Sequence, residues 1–158
     1  MEELEIEKKF LLTDQQASEL LGQTTDKGVR MIDYYVPNMR DHMDLRIRRK
    51  GDEYCITRKT PVENGVMKEV TIPIERLEFM MLAHGISTSI SKTRFKVKFH
   101  GYDAELDIYD GRHQGINVLE IEFPNKESYL VFNADNETTY QDVTGIEKWA
   151  AGKLAEWL

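Results

Sequence analysis

Cysteine is almost missing from the chain. Cys55 is the sole one, so no disulfide can form within the molecule, and a reducing cytoplasm is the expected setting. Long apolar runs are missing too: they stop at four or five residues, far short of the roughly 20 a membrane span requires. The opening Met1-Glu2-Glu3 is acidic, with no basic stretch leading into an apolar one, and predicts no signal peptide. Basic residues are in the minority, 21 against 28 acidic ones for a net charge of −7, which argues against a general nucleic-acid binder. There is no repeat, low-complexity tract or Pro/Ser-rich linker, and 41% of residues are hydrophobic. That is enough for a real core and predicts one domain over residues 1–158 rather than a disordered chain.

What the sequence does have is alternation with period two. Eight segments read as strands, at residues 4–12, 29–36, 45–50, 53–59, 66–72, 91–99, 102–109 and 117–123. Gly51-Asp52, Asn64-Gly65 and Gly101 punctuate three of the connections as hairpin turns. Helical spacing is confined to residues 13–22, opening with a Thr13/Gln16 capping box, and to 75–84, 126–132 and 145–158. The expectation is an α+β fold, mostly antiparallel β with a few helices.

Successive strand side chains point to opposite faces, and here one face of nearly every strand is charged. Glu5, Glu7 and Lys9 share a face, as do Arg46 and Arg48; Thr57 and Lys59; Glu69 and Thr71; Lys92, Arg94, Lys96 and Lys98; Glu105, Asp107 and Tyr109; and Glu120 and Glu122. For any single strand a solvated outer face explains this. Across all of them it does not, because acids dominate the first, seventh and eighth strands while bases dominate the third and sixth. Crowded carboxylates repel by about 4 kcal/mol per pair at 4 Å and an effective dielectric near 20, so they call for a cation or raised pKa values. Grouped Arg and Lys call for an anion with several oxygens. A divalent metal and a polyphosphate satisfy both, and all-oxygen ligation suits Mg²⁺ or Mn²⁺. A closed eight-stranded antiparallel barrel with a charged lumen and outer helices would hold such a ligand and leave no sheet edge.

Six stretches then carry a family resemblance: Glu5-Ile6-Glu7-Lys8-Lys9, Leu45-Arg46-Ile47-Arg48, Thr57-Arg58-Lys59, Glu69, Lys92-Thr93-Arg94, and the pair Glu105-Leu106-Asp107 with Glu120-Ile121-Glu122. In this order they resemble the signature of the CYTH superfamily, the triphosphate tunnel metalloenzymes. The resemblance implies a tunnel open at both ends that hydrolyses a triphosphate with divalent metal. It implies metal ligation by Glu120, Glu122 and Asp107, with Glu5 and Glu7 at a second metal and Glu69 beside them. Lys9, Arg46, Arg48, Lys59, Lys92 and Arg94 would grip the phosphates. Tyr35, with Tyr34 as the competing choice, would stand at the scissile end, where Lys9, Glu5 and Glu7 assist attack by water. Inorganic tripolyphosphate is the first substrate expected, with nucleoside or thiamine triphosphate behind it. A class IV-type adenylate cyclase and a non-hydrolysing polyphosphate binder are the alternatives. Met67, Thr71 and Ala150-Ala151 depart from the family pattern and motivate the binder.

The remaining chemistry-bearing residues have plainer readings. His42, His84, His100 and His113 lack ligand spacing and fit surface or turn positions. Cys55 reads as a small filler, Met80 and Met81 as core, Trp149 and Trp157 as packing on the barrel, and Asp110-Gly111 as a turn. Lys96 and Lys98 read equally as rim or contact residues. His42, with Arg40 and Asp41, is a minority candidate for touching a distal substrate group. No nucleic-acid or membrane partner is expected, and the assembly is a monomer or a homodimer.

Overall fold

A computed structural model of the chain describes residues 2–39, 43–63, 65–135 and 138–157. Eight strands form the barrel: β1 (Glu2–Leu12), β2 (Val29–Tyr35), β3 (Leu45–Lys50), β4 (Glu53–Glu63), β5 (Val66–Ile74), β6 (Ser89–Phe99), β7 (Tyr102–Tyr109) and β8 (Asn117–Phe123). They follow the order β5-β4-β3-β2-β6-β7-β8-β1, and β1 returns to pair with β5, so the sheet closes. Every pairing between these strands is antiparallel. Closure works because β1 is shared along its length. Residues 2–6 pair with β5, residues 6–12 pair with β8, and a two-residue β9 (Gln141–Asp142) takes up Phe10 and Leu11.

The alternation sorts as its chemistry requires. The outward side chains Phe10, Leu12, Phe99, Leu106, Leu119, Ile121 and Phe123 form one cluster. It is covered by α1 (Asp14–Leu21) through Ala17 and Leu20, and by α3 (Lys126–Asp135) through Phe132. The α1 start is held reciprocally, Gln16 N donating to Thr13 Oγ1 at 3.1 Å and Thr13 N to Gln16 Oε1 at 2.9 Å. Lys8, the charged residue on the outer face of β1, is neutralised there by Asp142 at 2.7 Å.

Several expectations need correction. α2 (Arg76–Ala83) exposes Met80 and Met81 and buries Phe79 instead. The reason is that Phe79 finds aromatic partners on the barrel, Tyr34 at 5.8 Å and Tyr54 at 5.1 Å. The single helix expected over residues 145–158 is broken: a 3₁₀ turn at Glu147–Trp149, extended Ala150, then the short α4 (Ala151–Ala155). The break lets the segment follow the barrel's end, where Leu154 and Ala155 pack on the lumen-side residues Tyr35, Ile90, Tyr109 and Val118. This end is therefore filled by an apolar cluster rather than open. Trp149 packs against that cluster, whereas Trp157 stays 39% exposed beside the His113 ring. His113 does lie in a turn, but a buried one, with Nε2 2.5 Å from the Leu154 carbonyl. Arg40, Asp41 and His42, and the Asn64 half of the Asn64-Gly65 turn, lie outside the described residues.

Candidate active site

The lumen is a cavity of about 1390 Å³, larger than the size range usual for ligand sites. Its wall carries twelve of the thirteen residues singled out from sequence: Glu5, Glu7, Lys9, Tyr35, Arg46, Arg48, Lys59, Glu69, Lys92, Arg94, Glu120 and Glu122. Asp107 is the exception. It is fully buried behind the wall, with Oδ2 accepting from Lys92 Nζ at 2.6 Å and its two oxygens taking Arg94 Nε and Nη2 at 2.7 and 2.8 Å. In this arrangement Asp107 orients two bases and does not itself line the cavity. Tyr35 and Tyr34 separate cleanly, the former lining the cavity and the latter facing out onto Phe79.

Backbone register explains which charges meet. Glu7 stands opposite Glu122 and Lys9 opposite Glu120; Glu120 also faces Glu105, and Lys59 faces Glu69. Acids thus gather where β8, β1 and β5 adjoin. Although Glu122 keeps an exposed edge, its partial burial raises the carboxyl to about 7, with repulsion from Glu5, Glu105, Glu120 and Glu7 adding to it. Glu5 and Glu7 are raised as well, mainly by burial. For Glu120 burial acts in the same sense, but Lys9 and Arg94 outweigh it and hold the carboxyl at about 2. On the basic side, Arg46 Nε is buried without a hydrogen-bond partner. Burial brings Lys92 down to about 8 despite Asp107, with Arg94 and Arg48 repelling it.

Asp33 is a residue that sequence reasoning passed over. It is 1% exposed and accepts from Arg48 Nε at 2.6 Å and Nη2 at 2.8 Å, a two-point fork. The signal was there in the alternation, since Met31, Asp33 and Tyr35 share a face and Asp33 falls opposite Arg48. The departures from the family pattern also have places. Met67 lines the cavity, and Thr71 Oγ1 bonds Thr57 Oγ1 at 3.0 Å and donates to Glu69 Oε1 at 3.2 Å. Gly152 brings α4 against the ring of Tyr35; a Cβ there would come within 3.4 Å of the ring and 3.2 Å of the Met43 carbonyl. Lys96 borders the cavity, while Lys98 is exposed and paired with Asp103.

The donor set fits a divalent ion of the Mg²⁺ type. Glu5 Oε2 and Glu7 Oε2 are buried and make no hydrogen bond of good geometry, and the neighbouring acids repel one another in the way a cation relieves. Among the described residues no three acidic, His or Cys side chains are posed as a ready-made cage. Mg²⁺ does not require one, because it takes one or two carboxylates and completes its shell with phosphate oxygens and water. A consequence can be tested on the protein without metal. A carboxyl raised in the folded state binds more protons there than in the unfolded chain, so stability falls as pH climbs from about 4.3 toward the folded value near 7. Thermal melts of Glu122→Gln should therefore match the parent at pH 4 and exceed it at pH 8.

The CYTH domain family's sequence profile matches residues 3–148. An inorganic triphosphatase of Nitrosomonas europaea is 30% identical over 131 residues, covering 81% of this chain and 82% of that protein. One from Acetivibrio thermocellus is 28% identical over 155 residues, 96% and 93% of the two chains. A crystal structure of an inorganic triphosphatase superposes with a TM-score of 0.66 at 26% identity, covering 98% of this chain and 95% of that one. A putative adenylate cyclase of Bacillus halodurans shares the fold, with a TM-score of 0.71 at 18% identity over 84% and 87% of the chains. With its closed, charge-lined barrel and a profile match spanning nearly its whole length, the chain belongs to the CYTH domain family.

Proposed function

We propose that this protein hydrolyses inorganic tripolyphosphate with the help of Mg²⁺ or Mn²⁺, releasing phosphate in the cytoplasm. The observation that carries the reading is that one closed lumen holds both the buried Glu5 and Glu7 carboxylate oxygens, which share the single Lys59 ammonium, and a buried Arg46 guanidinium nitrogen with no hydrogen-bond partner. A ligand that is both anionic and metal-bound completes both walls. The inorganic triphosphatases among its relatives point to the same chemistry.

In this reading Arg46, Lys9 and Lys59 hold the phosphate chain, with Arg48, Lys92 and Arg94 completing the positive wall from their buried anchors on Asp33 and Asp107. Glu5, Glu7, Glu69, Glu120 and Glu122 supply the carboxylates that would hold the metal. The ion contributes charge neutralisation of phosphate oxygens and a lowered pKa for water. Phosphoryl transfer asks mainly for positioning and electrostatic stabilisation, and these side chains provide both. Lys9, whose ammonium is 3.6 Å from Glu120 Oε1, stays protonated because Glu120 and Glu7 outweigh its burial. It serves as a fixed positive charge rather than a base. The Tyr35 hydroxyl is likewise kept protonated, by burial first and Asp33 second, and acts as a donor toward the chain.

The test is phosphate release from tripolyphosphate with Mg²⁺ or Mn²⁺ at neutral and alkaline pH, with Glu122→Gln as control. Fast release that the variant loses is the expected result. Tight metal-dependent binding with no product over hours would replace this reading with that of a binder.

A further inference from the structure

Lys59 occupies an unusual position. Its ammonium lies 2.6 Å from Glu5 Oε2, 3.9 Å from Glu7 Oε2 and 3.8 Å from Glu69 Oε2. It thus sits among three carboxylates, in the space a metal ion serving them would need. The fit is one of charge more than of hydrogen bonding. Only Glu5 is in close contact, and Glu7 Oε2 remains without a hydrogen bond although the atom is buried and Glu7 is only 8% exposed. An ammonium has three donors, but at 3.9 and 3.8 Å Glu7 and Glu69 lie beyond its hydrogen-bond reach.

Three of the other lumenal bases are held differently. Arg48 and Arg94 make two-point forks with Asp33 and Asp107, and Lys92 shares Asp107. Those anchors lie behind the wall, and both are nearly or fully buried. Lys59 instead reaches its carboxylates through the lumen on a flexible four-carbon stem, and its side chain is 25% exposed where those of the three acids are 11–13% exposed. A divalent ion taken up by the same carboxylates would repel an ammonium held 2.6 Å from Glu5 Oε2, which favours turning the ammonium away as the ion loads.

We propose that Lys59 is the resident counter-ion of the Glu5, Glu7 and Glu69 carboxylates and is exchanged for the divalent ion, its ammonium turning from the acids to the phosphate chain as the site loads. This rests on the metal-dependent reading above and adds an order to it: the metal displaces a lysine, and the lysine it displaces becomes a phosphate contact. Apparent metal affinity without substrate is held down by the exchange, and a bound phosphate chain raises it by giving Lys59 somewhere to go.

The test measures metal binding with no substrate present. Electron paramagnetic resonance of free Mn²⁺, titrated at pH 7.5 against the parent and Lys59→Met, should show the variant binding about tenfold more tightly, since a positive charge within 4 Å of three carboxylates has gone. Equal or weaker binding overturns the exchange, as does a failure of both proteins to bind. The second measurement needs no variant fold. The ¹³Cε resonance of Lys59 in the parent protein should shift on titration with Mg²⁺ and saturate with the calorimetric isotherm; a resonance that stays still while Mg²⁺ binds overturns the proposal. Phosphate release by the parent is scored separately. An active parent with an indifferent Lys59→Met removes the exchange and leaves the triphosphatase reading standing, whereas an inactive parent whose variant binds Mn²⁺ more tightly does the reverse.

Discussion

Glu7→Gln should lower kcat on tripolyphosphate by about 10²–10³-fold, the magnitude typical of losing one electrostatic group aimed at developing charge, while leaving the protein more stable without metal. The two effects have opposite signs for one reason. Glu7 is 8% exposed, stands opposite Glu122 in the sheet, and keeps an oxygen without a hydrogen bond. Its carboxyl is raised by burial first and by Glu120 second. Ionising it therefore opposes folding, and the amide removes that cost with almost no change of shape. A residue kept only for structure would not lose activity while gaining stability. The pair of measurements is steady-state phosphate release at saturating metal and a thermal melt in chelator at pH 8. Undiminished turnover would take Glu7 out of the machinery; a lower melting temperature with lower turnover would make its role structural.

Much of this was legible in the sequence because a strand's two faces are written in alternate letters. Glu5, Glu7 and Lys9 on β1 and Glu120 and Glu122 on β8 fall on the cavity wall as the period of two requires. The separation of acids from bases survives folding because β8, β1 and β5 are neighbours in the closed sheet. What alternation does not encode is which charges spend themselves on one another. Asp107 shares a face with Glu105 in the sequence, yet it stands off the cavity because Lys92 and Arg94 close over it. That outcome depends on rotamers and register across two strands. The helices were legible in number more than in facing. Nothing in the spacing of residues 75–84 says that Phe79 will outrank Met80 and Met81 for burial; the decision belongs to Tyr34 and Tyr54 on strands the helix happens to cross. The C-terminal segment failed for a related reason. Its apolar spacing is helical, but its partners are the buried ends of four strands, and meeting them required an extended residue at Ala150.

Asp33→Ala should cost about 3–5 kcal/mol, the usual penalty for leaving one partner of a buried ion pair behind, and it should do so away from any metal. Arg48 is 7% exposed and its Nε and Nη2 donate to the two Asp33 oxygens at 2.6 and 2.8 Å, so the alanine leaves a largely buried guanidinium without its counter-charge. The contribution also has a pH signature. Burial pushes the Asp33 carboxyl up, but the Arg48 charge and its hydrogen bonds, with Arg46 and Lys92 behind them, hold it well below the usual carboxylate range. A group depressed in the folded state contributes fully above its unfolded value, about 3.9, and loses that contribution as pH falls below it toward the folded one. Asp107 is depressed by Lys92 and Arg94 in the same way against its own burial, and acts with the same sign in the same window. Urea melts should therefore show the parent losing stability steeply below pH 4, with Asp33→Asn losing less over that interval and both proteins flat between pH 5 and 6 as far as this pair is concerned. Equal slopes for parent and variant below pH 4 would mean that Asp33 does not carry the linkage. The same anchor predicts a catalytic consequence of opposite character to that of Glu7: stability and turnover fall together in Asp33→Ala, because an Arg48 released from its fork no longer holds a fixed place on the wall the phosphates meet.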